Sequence, residues 1–204
     1  MLIDICNLKT KYDLHINGVI HVGAHFGNEN QVYEKLNIKN KIFFEASSKT
    51  FKVLTQNLSH TDALLINKAV GNENRTIMLN IETHNEGQSN SILQPKLHLQ
   101  QYPNIKFHNQ EMVDMIRLDD FLQEKQKYNF LNIDVQGYEL EVLKGCEKLL
   151  NNIDYIMTEI NKAELYENCA QVEQIIEFLK SYNFVLVEQN WLGGTWGDGF
   201  FIKK

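Results

Sequence analysis

The sequence predicts an α/β fold in which helices cover both faces of a mostly parallel sheet. Three observations predict it. Strand-like and helix-like segments alternate along the chain, the pattern of parallel strands joined by helical crossovers. The most apolar strand-like run, Phe130-Leu-Asn-Ile133, reads as a central strand. Two strand-like runs also pass straight into polar, glycine-bearing turns and then into helical patterns. These turns are Gly23-Ala-His-Phe-Gly27 and Asp134-Val-Gln-Gly137. Such turns line the carboxyl edge of a parallel sheet, where α/β proteins bind ligands.

In chain order, residues 19–23 read as the first strand and 29–36 as a helix. Residues 41–45 form a short apolar run closing on an acid, followed by a helix over 49–58. Residues 63–70 make a third strand. A polar stretch over 80–109 then interrupts the alternation; it is too long for a simple connector, and such insertions usually serve as lids or binding loops. Regularity resumes with a strand at 112–118, after which Asp119 is a candidate N-cap for a helix over 120–124. Residues 138–150 carry a helical pattern that Gly145 can break, and 154–160 give the fifth strand of the parallel set. Val172, Ile175, Ile176 and Leu179 recur at i, i+3, i+4 and i+7, marking one buried helical face. Two closing strands, 184–188 and 199–202, can pair antiparallel through the glycine-rich 191–198 connection.

A chain of 204 residues suits one α/β domain. Its net charge of −6 argues against nucleic acid or an anionic membrane surface, both of which demand a basic face. No basic segment followed by an apolar run opens the chain, and no window approaches the length of a membrane span. Cys6, Cys146 and Cys169 are few and widely spaced, which fits reduced thiols in a cytoplasmic protein better than a disulfide framework or a zinc site.

The first turn has glycines at positions one and five, whereas a dinucleotide loop wants them at one, three and six. The fit is better to the Gly-x-Gly-x-Gly loop of S-adenosylmethionine enzymes with His25 at the middle position. Histidine is among the few non-glycine residues enriched at positive φ, so the replacement is tolerable. Glu45, at the end of the second strand, is placed to accept hydrogen bonds from both ribose hydroxyls of a nucleoside cofactor. The competing reading is a tight turn with a surface glutamate.

The second turn, Ile133-Asp-Val-Gln-Gly-Tyr-Glu-Leu-Glu-Val-Leu-Lys-Gly145, resembles the hallmark of the FkbM family of S-adenosylmethionine-dependent O-methyltransferases. The resemblance extends to Val22-Gly-Ala-His-Phe-Gly27, Phe44-Glu-Ala46, Arg117-Leu-Asp-Asp-Phe-Leu122 and the closing Gly197-Asp-Gly-Phe-Phe-Ile-Lys203. It implies a single class I methyltransferase domain, with its core at about 18–204 and an acceptor-side insertion at about 80–109. Its sheet would have seven mostly parallel strands with the last antiparallel. It further implies S-adenosylmethionine as cofactor and a hydroxyl acceptor, commonly on a sugar, glycan or natural product. Gly23, Ala24, His25 and Gly27 would wrap the methionine end of the cofactor. Glu45, followed by Ala46, would hold the ribose, and Asp134 would face the reacting centre. The chain departs from the family at Gln136, where a glutamate is usual. It departs again at His21, where many methyltransferases carry an acid; His21 reads as a packed strand histidine.

Methyl transfer needs an aligned acceptor oxygen and removal of its proton. Asp134 can position or deprotonate the acceptor; its alternative role is to cap the following helix. Glu159 and Asn161 end the fifth strand beside it, and with Asp134 they offer three oxygen ligands that could hold magnesium, or an ordinary hydrogen-bonded strand end. In the insertion, Gly87-Gln-Ser-Asn-Ser91 suits a sugar, and His98 is a candidate general base that can equally be a solvated loop histidine. Trp191 and Trp196 can stack on a sugar face or pack the closing hairpin. Two other functions remain open at this point: an NAD-dependent oxidoreductase, and a non-catalytic binding or scaffold member of the methyltransferase fold.

Overall fold

A computed structural model describes residues 1–204. The elements run α1 (Ile5–Tyr12), β1 (Gly18–Val22), α2 (Asn30–Lys35), β2 (Asn40–Phe44), α3 (Ser48–Asn57), β3 (Leu64–Ile66), β4 (Ala69–Val70) and β5 (Arg75–Glu82). They continue with α4 (His98–Gln101), β6 (Phe107–Ile116), α5 (Leu118–Phe121), β7 (Phe130–Ile133), α6 (Glu139–Lys144), β8 (Tyr155–Asn161), α7 (Val172–Lys180), β9 (Phe184–Leu192) and β10 (Trp196–Lys203).

The main sheet has seven strands in the order β3-β2-β1-β7-β8-β10-β9. The first five are mutually parallel, and β10 runs antiparallel between β8 and β9. This is the class I methyltransferase sheet expected above. Every residue of β1 and β7 is buried, because helices cover both faces of the sheet. Val19 packs with α1, α2 and α3 through Ile5, Tyr33 and Leu54, while its neighbour Ile20 packs with α6 and α7 through Val142 and Ile175. The two-residue period of a strand thus divides its side chains between two cores. The buried stripe of α7, Val172, Ile175 and Leu179, is the one its spacing predicts.

Strand order reverses between β1 and β7, so the turns after these two strands flank the crevice at the switch point. Gly23 and Asp134 begin those turns, and the strands are in register up to Val22 opposite Ile133.

Four expectations need correction. The strand expected at 63–70 is two strands. Leu64–Ile66 pairs with β2, and Ala69–Val70 with β6 in a separate three-stranded sheet. Asn67 divides them: its side-chain Nδ2 donates to the carbonyls of Glu45 and Ala46, drawing the chain out of the ladder. The polar stretch at 80–109 is also less irregular than its composition implies. Its ends belong to β5 and β6, which pair antiparallel, so its first and last polar residues are strand residues: Asn80 and Glu82 are buried, and His108 and Asn109 face solvent. The true connection is 83–106, with α4 inside it.

Asp119 does not cap a helix over 120–124. It lies within α5, and its carboxylate instead accepts from the backbone N–H groups of Lys148 and Leu149, both at 2.8 Å. The helix over 138–150 is shorter than its pattern, ending at Gly145. A Cβ there would lie 1.9 Å from the Gly71 carbonyl oxygen, so the close chain approach requires glycine. No helix is long and apolar enough to cross a membrane.

Candidate active site at the switch point

A cavity of about 640 Å³ opens over the carboxyl ends of β1, β2, β7 and β8. Gly23, Ala24, His25, Glu45, Ala46, Asp134, Glu159 and His98 all line it, together with Ser89, Tyr102 and Trp196. Gly27 does not; it stands behind the loop, where its α-carbon face meets Leu54 and Leu58.

The loop after β1 is shaped by backbone. The N–H groups of Gly23 and Ala24 both donate to the Phe44 carbonyl at 2.9 Å, tying the loop to the end of β2. Gly23 has φ +79, and a Cβ on it would sit 1.8 Å from the Asp134 carbonyl oxygen. His25 occupies the left-handed region at φ +49, as its place in the motif requires. Its backbone N–H donates to Glu45 Oε2 at 2.9 Å, and Ser47 N–H donates to Oε1 at 2.9 Å. Glu45 is therefore a buried, backbone-held carboxylate and not a surface one. Burial pushes its pKa up to about 7 against the pull of those N–H donors.

At the second turn, α6 carries no side-chain cap, so Asp134 is not its N-cap. Glu139 Oε1 accepts from Val135 N–H at 3.1 Å and Gly137 N–H at 3.0 Å, and it is fully buried. Glu139 thus holds the turn that leads into α6. Asp134, which is half-buried, receives Gln136 Nε2 at 2.8 Å on Oδ1. The same nitrogen donates to Glu159 Oε2 at 2.7 Å, and Asn161 Nδ2 donates to Oε1 at 3.3 Å. Burial, with the charges of Asp134 and Glu139, holds Glu159 well above the usual carboxylate range.

The magnesium reading of Asp134, Glu159 and Asn161 does not fit this donor set. The Gln136 amide points N–H groups into the gap between the two carboxylates, and Asn161 turns its nitrogen toward Glu159. No three His, Cys, Asp or Glu side chains converge as metal ligands.

The 83–106 connection supplies the other wall. Glu82, buried at the end of β5, accepts from the backbone N–H groups of His84, Asn85 and Gly87 and so folds the start of the connection. The connection then touches both turns. His25 Nε2 lies 2.9 Å from the Glu86 carbonyl, and Ser91 Oγ donates to the Gln136 carbonyl at 2.7 Å. His98 is buried, not solvated: Tyr102, Phe107 and Tyr166 surround it, and Ser89 Oγ lies 3.1 Å from Nε2. Its Nδ1 has no partner. Burial lowers its pKa, so the imidazole is neutral near pH 7.

The tryptophans divide. Trp196 lines the cavity and donates from Nε1 to the Tyr102 hydroxyl at 2.8 Å. Trp191 packs against the core, with Lys162 Nζ 3.8 Å over its ring. His21 is the packed strand histidine expected. Its Nδ1 lies 3.2 Å from the Tyr33 hydroxyl, which also receives Asn132 Nδ2 at 2.7 Å.

Three site residues escape sequence reasoning. Tyr166, with its hydroxyl 3.1 Å from Gln136 Oε1, sits in no motif. Asp198 is buried and accepts from Leu2 and Ile3 N–H groups, and burial raises its pKa to about 6. Glu139 and Asp198 carried a signal only as members of the second-turn and closing motifs.

Comparison with known proteins agrees with this geometry. The chain is 28% identical over 177 residues to the 2-O-methyltransferase NoeI of Sinorhizobium fredii, covering 82% of this chain and 72% of that protein. Its fold is similar to the putative tRNA (m1A22) methyltransferase of Streptococcus pneumoniae solved with S-adenosyl-L-methionine. There the TM-score is 0.55 at 12% identity, over 100% of this chain and 73% of the other. The methyltransferase domain of bacterial CtHen1-C gives a TM-score of 0.54 at 10% identity, over 98% and 94% of the two chains. Residues 21–186, which hold both turns and Glu45, match the profile of the methyltransferase FkbM domain. The chain belongs to the FkbM methyltransferase family.

Proposed function

We propose that this chain is an S-adenosylmethionine-dependent O-methyltransferase whose acceptor is a hydroxyl of a sugar or glycan. The observation that carries the reading is the meeting, at one switch-point cavity, of a glycine loop, a buried ribose-type acid (Glu45) and a carboxylate free of capping duty (Asp134). The 2-O-methyltransferase relative supports oxygen as the methylated atom. Hydroxyl and amide groups of Gln88, Ser89 and Asn90 beside the rings of Tyr102 and Trp196 support a sugar, which presents both hydroxyls and a flat apolar face.

The cofactor supplies a methyl group activated on a positively charged sulfur. The chain's residues then have distinct tasks. Glu45 holds the ribose hydroxyls, and the Gly23–Gly27 loop follows the methionine end. His98 and Ser89 orient the acceptor. The cavity would hold the acceptor oxygen in line with that methyl group, and methylation of the oxygen would release its proton. Asp134 takes the hydroxyl proton in the same step. Glu159 acts behind Asp134, through Gln136, as a positioning residue. We place the protein in the cytoplasm on its cysteine usage, and the net charge of −6 speaks against a nucleic-acid acceptor.

Thermal stabilisation by S-adenosylmethionine and its demethylated product, followed by transfer of a labelled methyl group to a panel of sugar acceptors, tests the reading. Saturation at 100-fold over the dissociation constant adds about 2.7 kcal/mol. Absence of any shift with either ligand overturns it.

A further inference from the structure

The feature that separates this site from a metal-assisted one is a single amide. Asp134 and Glu159 end adjacent parallel strands, and both face the cavity. Two carboxylates converging in a partly desolvated site need a proton, a cation or hydrogen-bond donors between them. Gln136 supplies the donors: its Nε2 is 2.8 Å from Asp134 Oδ1 and 2.7 Å from Glu159 Oε2, so each N–H can serve one acid. The amide is held at its other end too. Its Oε1 lies 3.1 Å from the Tyr166 hydroxyl, which shares its one proton with the Ser89 carbonyl, while the donor end faces the acids. Its backbone is pinned in a left-handed turn, at φ +57 with Gly137 at φ +101, and Ser91 Oγ holds its carbonyl.

We propose that Gln136 is a positioning residue whose amide takes the place of a divalent cation between Asp134 and Glu159, orienting Asp134 toward the acceptor without a metal. The role given to Asp134 rests on the methyl-transfer reading; the arrangement of the three side chains does not. One consequence is specific to this geometry. A carboxylate at position 136 would make three converging acids, an oxygen donor set suited to a hard divalent cation.

The test uses Mn²⁺ as the probe, followed by electron paramagnetic resonance, on the parent protein, Gln136→Glu and Gln136→Glu combined with Asp134→Asn. Gln136→Glu should bind Mn²⁺ at least about 10-fold more tightly than the parent, and adding Asp134→Asn should erase the gain. Gln136→Leu and Gln136→Asn, the latter one methylene too short to reach both acids, should lower kcat about 10-fold while cofactor affinity stays within about 2-fold. Mn²⁺ should restore part of the turnover of Gln136→Glu and leave the parent and Gln136→Leu unchanged. Asp134-dependent Mn²⁺ binding by the parent, a folded Gln136→Glu without gained affinity, or a fully active Gln136→Leu each overturns the proposal. Should Gln136→Glu not fold, the kcat effects of the leucine and asparagine variants decide. The Mn²⁺ titration needs no cofactor, so failure of the methyl-transfer reading shows separately, as a parent that does not bind S-adenosylmethionine.

Discussion

The two walls of the cavity are built on different principles. The wall proposed to hold the cofactor is made of backbone and one acid: Gly23 and Ala24 tied to Phe44, and Glu45 held by the N–H groups of His25 and Ser47. All of these lie within 23–47 and follow directly from two strand ends. The wall proposed to hold the acceptor is made of side chains from distant segments. His98 touches Ser89, the Ser89 carbonyl receives the Tyr166 hydroxyl, and Tyr166 reaches Gln136. A wall of backbone amides can bind the invariant cofactor of a whole family. A wall of side chains on a long connection can change its acceptor without disturbing the sheet.

Asp134 stands between the walls, and its removal should have the largest effect. Asp134→Asn keeps the size and most of the hydrogen bonding, and α6 loses no cap because Asp134 does not supply one. Turnover should fall by about 10²-fold or more while cofactor affinity stays near that of the parent, as steady-state and binding assays would show. A fully active variant would sink the proposed mechanism.

If the cofactor wall works as described, Glu45→Ala should weaken cofactor binding by one or two charge-assisted hydrogen bonds, about 1.5–3 kcal/mol each. A pH titration sharpens the point. Ribose hydroxyls donate to the ionised carboxylate, so binding competes with the proton that burial favours at a pKa of about 7. Affinity measured by calorimetry should be full above that pH and fall about tenfold per unit below it. In Glu45→Gln the slope should be absent. A flat profile in the parent removes Glu45 from the ribose.

The acceptor wall should respond in the opposite sense. His98→Asn or Ser89→Ala should cut turnover about tenfold or more with unchanged cofactor affinity. Loss of cofactor binding in these variants would mean that the walls are not separate. The smallest effect belongs to the link between them. His25→Gly keeps a residue that tolerates φ +49 but deletes the contact from Nε2 to the Glu86 carbonyl. Loss of this exposed hydrogen bond, worth about 0.5–1.5 kcal/mol, should weaken binding of both ligands several-fold. An effect confined to one ligand would show that the contact does not couple the walls.

The sequence by itself determined the parallel strands at the centre of the main sheet and the two turns at its carboxyl edge, because both rest on local rules. Apolar runs such as Phe130–Ile133 must be buried strands, and a strand entering a glycine turn must open at the sheet edge. Glu45 and Asp134 were legible for the same reason: each is the residue that ends its strand's pattern. The tertiary structure decided whatever depends on partners far along the chain. Asn67 ended a strand by bonding to the carbonyls of residues 45 and 46, and Asp119 capped residues 148 and 149 in place of its own neighbours. Glu139 bonded to the backbone of the turn before it, and Asp134 was left to the cavity. Tyr166 and Ser91 fixed Gln136 from segments that carry no motif. The residue type at each of these positions allows several hydrogen-bond partners of similar strength. Which one forms is settled by what the packed sheet brings within about 3 Å, and no local pattern encodes that distance.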